Sequence, residues 1–223
     1  MKRLKRLIAV LTVCALVAGM TGCGSRFDAS GYTEAILNLQ FQGDTTNART
    51  FLDGTTQTSL SQMYKEFVEN FVAAYITSGM TVGETRSEEF ADLASSVLTS
   101  MRYEVGKAKK AGKKEYEVPV VIEPADTFIR YQDLLTEDSI KISNKIKKGG
   151  YKGSEEEIES QVLTDIADHA YDLLAKAHED TQYGEKETVI LKVKADSDDI
   201  YSIDEDDMDN LIKKILRLDE IGG

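Results

Sequence analysis

At 223 residues, 41% apolar and 8% aromatic, the chain is long enough for one ordinary domain with a substantial core, and neither a repeat nor a Pro-rich linker divides it. Its 39 acidic against 27 basic residues give a formal charge of −12, which opposes contact with nucleic-acid phosphates and with anionic headgroups in general. The first element is an export signal: Lys2, Arg3, Lys5 and Arg6 form a basic head, Leu7 to Val17 an apolar middle, and Ala18 to Gly22 a small-residue tail. The apolar run is shorter than the roughly 20 residues that a membrane-crossing helix needs.

Met20-Thr21-Gly22-Cys23 resembles the lipobox of bacterial lipoproteins, with Met where Leu is usual. The resemblance implies cleavage before Cys23, lipidation of that cysteine and a membrane partner reached through the lipid; two or more acyl chains hold a protein durably on a bilayer. Cys14 would leave with the signal, so no internal disulfide is possible, and loss of the four head cations moves the formal charge from −12 to −16. The expected organisation is residues 1–22 as signal, 23–28 as lipidated cysteine and tether, and 29–223 as one domain. The first helix then starts about five residues from the lipid, a span of at most ~18 Å.

Asp28 is placed to cap that helix, with Phe27 and Tyr32 as a hydrophobic staple and Gly43 as its stop. Ser59-x-x-Gln62 opens a second helix, with Leu60, Met63, Tyr64, Phe67, Phe71 and Tyr75 on one face. Thr85-x-x-Glu88 opens a third, with Phe90, Leu93, Val97 and Met101 inward. The period then becomes two: Tyr103 and Val105, a basic turn from Lys107 to Lys114, then Tyr116, Val118, Val120 and Ile122 form a β-hairpin. Pro119 cannot donate to a ladder, so its strand is expected at an edge or bulged.

Two helices follow, Asp126 to Lys147 and Glu155 to Glu179, the latter opened by Ser154-x-x-Glu157 with Ile158, Val162, Ile166, Ala170, Leu173 and Ala177 inward. Glu187 to Ala195 is the last long strand and Ser202 to Leu218 a final amphipathic helix. The expected class is α+β, with a helical hairpin inserted before that strand and helices packed on a curved antiparallel sheet. The lipobox, "FDASGYTEAILNLQFQGD", "SLSQMYKEFVENF", "YEVGKAKKAGKKEYEVPVVIEP" and "ETVILKVKAD" together resemble a group of uncharacterised lipid-anchored surface lipoproteins of Gram-positive bacteria. These are similar to cystatin-like and nuclear-transport-factor-like domains; the resemblance implies a sheet curled into a cone and carries no catalytic residue.

Asp165, His169 and Asp172 share a helical face that a divalent metal could use, but the same spacing suits a solvated face and no cysteine is at hand. Asp196 and Asp198 begin an acidic run that invites calcium, yet Tyr201 stands where a calcium loop needs Gly and Asp207 where it needs Glu, leaving at most a weak surface site. Negative charge at the start of the last helix explains Asp204 to Asp209 more simply. Lys109, Lys110, Lys113 and Lys114, and Lys147, Lys148 and Lys152, form two basic turns that could meet anionic headgroups or wall polymers, or merely blunt strand edges.

No nucleophile elbow, phosphate loop or cofactor motif is present, so no catalytic residue and no cofactor are assigned. The expected function is a non-enzymatic binding or adaptor module, lipid-anchored at the outer face of the cytoplasmic membrane, taking a peptide, a protein or a small apolar ligand on its concave sheet face, with a homodimer through the sheet as a variant. The alternative is a small extracytoplasmic enzyme with an acidic residue in the cone pocket. Nucleic acid is not an expected partner.

Overall fold

The computed structural model describes residues 27–221 apart from Asp53 and Thr81, so the signal, the lipobox and Cys23 lie outside the described residues. Asp28 accepts the Gly31 amide at 3.0 Å and opens α1, Ala29–Gln42. Phe27 and Tyr32 pack across that cap with ring centroids 5.5 Å apart, as their spacing implies. Gly43 ends the helix at φ 65°, and its amide and that of Asp44 turn back to the Leu39 and Asn38 carbonyls.

A short α2, Thr45–Phe51, follows at once under an Asp44 cap; at seven residues it is too brief to leave a periodic signal in the sequence. The next helix, α3, is Gln57–Phe71 and starts before the expected Ser59 cap. Thr56 is the true cap, and its hydroxyl and that of Ser59 bond each other's amides at 3.1 and 3.0 Å, so Ser59 occupies the third helical position. Val72–Ile76 continues α3 as a π-helical turn, closed by Thr77 donating to Val72 O at 2.9 Å. Helix α4, Glu84–Thr99, starts from Gly83 without a side-chain cap, which puts the Thr85-x-x-Glu88 pattern inside its first turn. Phe90, Ala94, Val97 and Leu98 are buried.

The sheet is antiparallel and curled: β1 (Arg102–Val105), β2 (Lys109–Gly112), β3 (Glu115–Glu123), β4 (Glu187–Ala195) and β5 (Tyr201–Ile203). β3 is central, with β4 on one side and β1 and β2 in succession on the other. An edge position for the Pro119 strand is therefore excluded, and in place of a bulge at Pro119 the ladder is broken on the side of β1 and β2. Gly106 donates to Pro119 O at 2.7 Å, and a strand residue's amide and carbonyl point the same way, so the proline's missing donor falls at the gap between β1 and β2. The Ser30 hydroxyl fills the gap: it donates to Gly106 O at 3.1 Å and accepts from Ala108 N at 2.8 Å. The segment expected as a plain basic turn is itself half strand, because Lys109 and Lys110 pair with Glu117 and Tyr116 and, past a bulge at Ala111, Gly112 pairs with Glu115, leaving a tight turn.

Val118, Val120 and Ile122 of β3 and Val189, Leu191 and Val193 of β4 are buried on one face. The seven α-helices among the described residues and that face build a single apolar cluster, with α1 lying on β1 and β3, and α7, Glu205–Ile215, on β4. Helices α5 (Thr127–Lys147) and α6 (Glu155–Glu179) form the expected hairpin, and Ser154 and Glu157 make the capping box. The inward stripe of α6 differs from the expected one: Ala167, Ala170, Leu174 and Ala177 are buried, whereas Ile158, Val162, Ile166 and Leu173 are only half-buried. The second half of α6 docks on α4, through Phe90 against Tyr171, and α5 packs along α6.

The final helix is shorter than expected. Tyr201–Ile203 pairs with β4 as β5, and only Asp204, whose carboxylate accepts the Asp207 amide at 3.3 Å, begins α7. Glu205, Asp206 and Asp207 occupy its first turn and Lys213 and Lys214 its last, the arrangement that the helix dipole favours.

Candidate functional site

A polar recess lies along the outer edge of β1. The phase set by the Gly106 to Pro119 bond directs the amides and carbonyls of Arg102 and Glu104 to β3 and those of Tyr103 and Val105 outward, where no described strand covers them. Beside this edge is a groove of about 570 Å³. One wall is α1, whose Glu34, Asn38 and Gln42 recur every four residues and so share one face. The other wall holds Arg102, Glu123 and Lys186, and the floor is Met101, Val105 and Val121.

Tyr103 joins the two walls. Its ring sits 5.4 Å from that of Phe41, its hydroxyl donates to Asn38 Oδ1 at 2.7 Å, and Gln42 Nε2 donates to it at 3.2 Å. Burial, and then the negative charges of Glu34 and Asp44, push the phenol far above its ordinary range, so it stays protonated and works as a fixed donor. Arg102 lies 3.7 Å from the Tyr183 ring centroid and 3.1 Å from Glu123, and Lys186 reaches the other oxygen of Glu123 at 3.6 Å. The Arg102 hydrogen bond holds Glu123 below the usual carboxylate range. Glu34 and Glu104, by contrast, are exposed and make no ion pair among the described residues. Two exposed acids beside open main-chain groups can receive an extended chain bearing a cation.

The sequence-expected metal residues do not converge. Asp165 accepts from Lys145 Nζ at 2.6 Å and Tyr151 OH at 2.8 Å, His169 Nδ1 is 2.9 Å from Asp138, and Asp172 is exposed. Asp196 turns one oxygen onto the amides of Asp198 and Ile200 at 2.8 and 2.9 Å, so its carboxylate builds the β4–β5 turn, in which Asp199 takes φ 65°. Among the described residues no three His, Cys, Asp or Glu side chains are grouped as a metal would need.

The basic residues divide. Lys109, Lys110 and Lys113 are exposed without an ion pair among the described residues, whereas Lys114 pairs with Asp199. Lys147 and Lys148 end α5, and Lys152 lies in the exposed α5–α6 loop. The apolar sheet face expected to take a ligand is filled by helices; the opposite face carries cross-strand charges, including Lys194 with Glu115 at 3.1 Å, around the half-exposed Ile190. Sequence reading missed the β1 groove because its α1 wall, Glu34-x-x-x-Asn38-x-x-x-Gln42, is a polar stripe on an otherwise buried helix. That stripe was the available signal.

No known family matches the chain, and no curated protein matches it in sequence. Among helices of the described residues, none is long and apolar enough to cross a membrane. The fold is similar to the crystal structure of ycdA, a candidate lipoprotein from Bacillus subtilis, with a TM-score of 0.50 and 16% identity over 85% of this chain. The chain spans 56% of that protein's length, and the likeness is one of fold.

Proposed function

We propose that this protein is a lipid-anchored, non-catalytic module at the outer face of the cytoplasmic membrane that binds an extended polypeptide along the free edge of β1. The observation carrying the binding half is that edge: outward Tyr103 and Val105 main-chain groups beside a polar groove, the arrangement that strand addition uses. The lipobox-like Met20 to Cys23 carries the anchor, and a candidate lipoprotein of similar fold agrees with it. Helices laid across one face of a curled antiparallel sheet agree with the cystatin-like resemblance.

A small enzyme has less support. General acids at neutral pH need carboxyls with raised proton affinity, and every described carboxylate that departs from its ordinary range is moved down, as Glu123, Asp126, Glu157, Asp165 and Glu220 are. A homodimer through the sheet has less support too, since one face is filled and the other would bury Lys194, Glu115 and Arg102.

Val105→Pro tests the binding half, because it deletes an outward amide and leaves the inward ladder to β3 intact. Screened on an array of extended peptides, the protein should prefer members with Lys or Arg; binding should slow hydrogen exchange at Tyr103 and Val105, and Val105→Pro should lose at least about tenfold in affinity, the worth of one to two main-chain bonds. Equal binding by that variant, or no peptide bound, rejects this reading. Cys23→Ala should abolish incorporation of labelled palmitate, and incorporation that persists rejects the anchor.

A further inference from the structure

The chain enters the fold beside the β2–β3 hairpin. Phe27 stacks flat on Tyr201 with centroids 3.6 Å apart, and its ring lies 5.9 Å from that of Tyr116. Tyr116 is the register partner of Lys110, so their Cα atoms are about 5 Å apart. Three residues later Ser30 bonds Ala108 N at 2.8 Å. Only Gly24, Ser25 and Arg26 separate Cys23 from Phe27, a reach of at most ~14 Å.

Lys107, Lys109, Lys110 and Lys113 crowd this end, exposed and without an ion pair among the described residues. The neighbouring acids are mostly engaged: Glu115 with Lys194, Asp199 with Lys114, and Asp196 with two backbone amides. Asp196 keeps its charge while it accepts those amides, and Glu117, opposite Lys109, and Asp198 make no ion pair among the described residues, so four lysines stand against three carboxylates outside ion pairs at this tip although the chain as a whole is acidic. At physiological salt, charges beyond about 8 Å are largely screened, and the local sign governs what the tip meets.

We infer that the β2–β3 hairpin is a membrane-contact surface, on which Lys107, Lys109, Lys110 and Lys113 meet the phosphates of anionic lipids when the chain is tethered at Cys23. The inference rests on the lipid-anchor reading for its setting. Two independent features coincide in it: the short chain that leads to the lipid, and an end of the sheet whose cations make no ion pair among the described residues. The tether holds the domain near the surface, and the hairpin fixes which way it faces. The opposite end of β3, at Glu123, then stands about 27 Å further out over eight residue steps.

The test is amine acetylation read by mass spectrometry, on two preparations: protein purified with its native Cys23 modification and reconstituted in vesicles, and a chain beginning at Cys23 coupled there to a maleimide lipid. The coupled chain retains every described residue. In vesicles with 30% phosphatidylglycerol, Lys109, Lys110 and Lys113 should acetylate about fivefold more slowly than in pure phosphatidylcholine, the equivalent of ~1 kcal/mol per lysine at an anionic surface. The difference should vanish in 0.5 M NaCl, and Lys65 and Lys186 should react alike in both vesicles. Equal hairpin reactivity in the two lipids overturns the inference, as does protection at Lys65 or Lys186 instead. So does equal protection by soluble polyphosphate in place of vesicles, which would make the partner a free polyanion. If Cys23 of the purified protein carries no lipid but the coupled chain is protected, the anchor fails and the contact surface stands.

Discussion

Ser30→Ala removes the hydroxyl that does the work of the proline's missing amide. Two main-chain groups then lose their partners, the Gly106 carbonyl at 3.1 Å and the Ala108 amide at 2.8 Å, in a half-buried place where no other described side chain hydrogen-bonds them. A net hydrogen bond contributes about 0.5–1.5 kcal/mol and an orphaned buried group costs about 1–3 kcal/mol, so partial water access puts the loss near 2 kcal/mol. The slightly better helix propensity of Ala returns no more than about 0.5 kcal/mol of it. In a domain of this size each kcal/mol moves the melting temperature by about 2–4 °C, so a fall of roughly 4–8 °C is expected. Pro119→Val gives β3 an amide aimed at Gly106 O. In that background Ser30→Ala orphans only Ala108, and its cost should drop by about half, a coupling of ~1 kcal/mol. Urea unfolding of the four proteins of this cycle supplies the measurement. A Ser30→Ala loss that is the same in both backgrounds, or below about 0.3 kcal/mol, would refute the idea that the hydroxyl stands in for the proline.

Three further outcomes follow from local geometry. Asp165 is held below the usual carboxylate range first by the Lys145 hydrogen bond and then by Tyr151, so its contribution is present above about pH 4, the unfolded value, and is lost as pH falls through its folded value; Asp165→Asn should therefore lower the urea midpoint at pH 7 and leave it nearly unchanged at pH 2.5. Burial lowers the proton affinity of His178, so its stabilising neutral form is favoured above about pH 6.5 and that contribution declines as pH falls through the lowered value; the imidazole resonances should titrate below pH 6.5. Gly43→Ala should cost at least roughly 1–2 kcal/mol by calorimetry, the strain of φ 65° for an L side chain, because its Cβ would also come 2.9 Å from the Tyr64 ring.

Elements whose ends are written in side chains were legible in the sequence. The Asp28 cap, the Gly43 stop, the Ser154–Glu157 box and the alternation of Glu187 to Ala195 all stand as read, because each is decided by neighbours within a turn. Errors fell where several caps compete or a distant strand intervenes. Thr56 wins over Ser59 because both hydroxyls can then be satisfied at once, and Tyr201 to Ile203 leave the helical pattern because β4 has an open side to pair. The groove was hidden for the same reason: Tyr103 meets Asn38 across 65 positions, a juxtaposition that no local pattern encodes.

Pro119 links these results. Placed in a central strand, it breaks one side of the ladder into two pieces with different duties: β1 keeps a free edge beside the acidic α1 wall, and β2 projects lysines at the opposite end. A continuous strand in their place would join the polar groove to the basic tip. The break also needs a plug, and Ser30 supplies it from the first turn of the helix that follows the tether. The bond that repairs the sheet thus fixes the chain's entry beside the lysines. With that end on the bilayer, the β1 groove lies toward the Glu123 end of β3, starting at Val105 about 17 Å along the strand, some two screening lengths from the hairpin end. If the proposed peptide site at Glu34 and Glu104 and the proposed lipid contact are both right, the two do not compete for charge, so weakening the hairpin lysines should alter the protein's orientation while peptide affinity in solution stays unchanged.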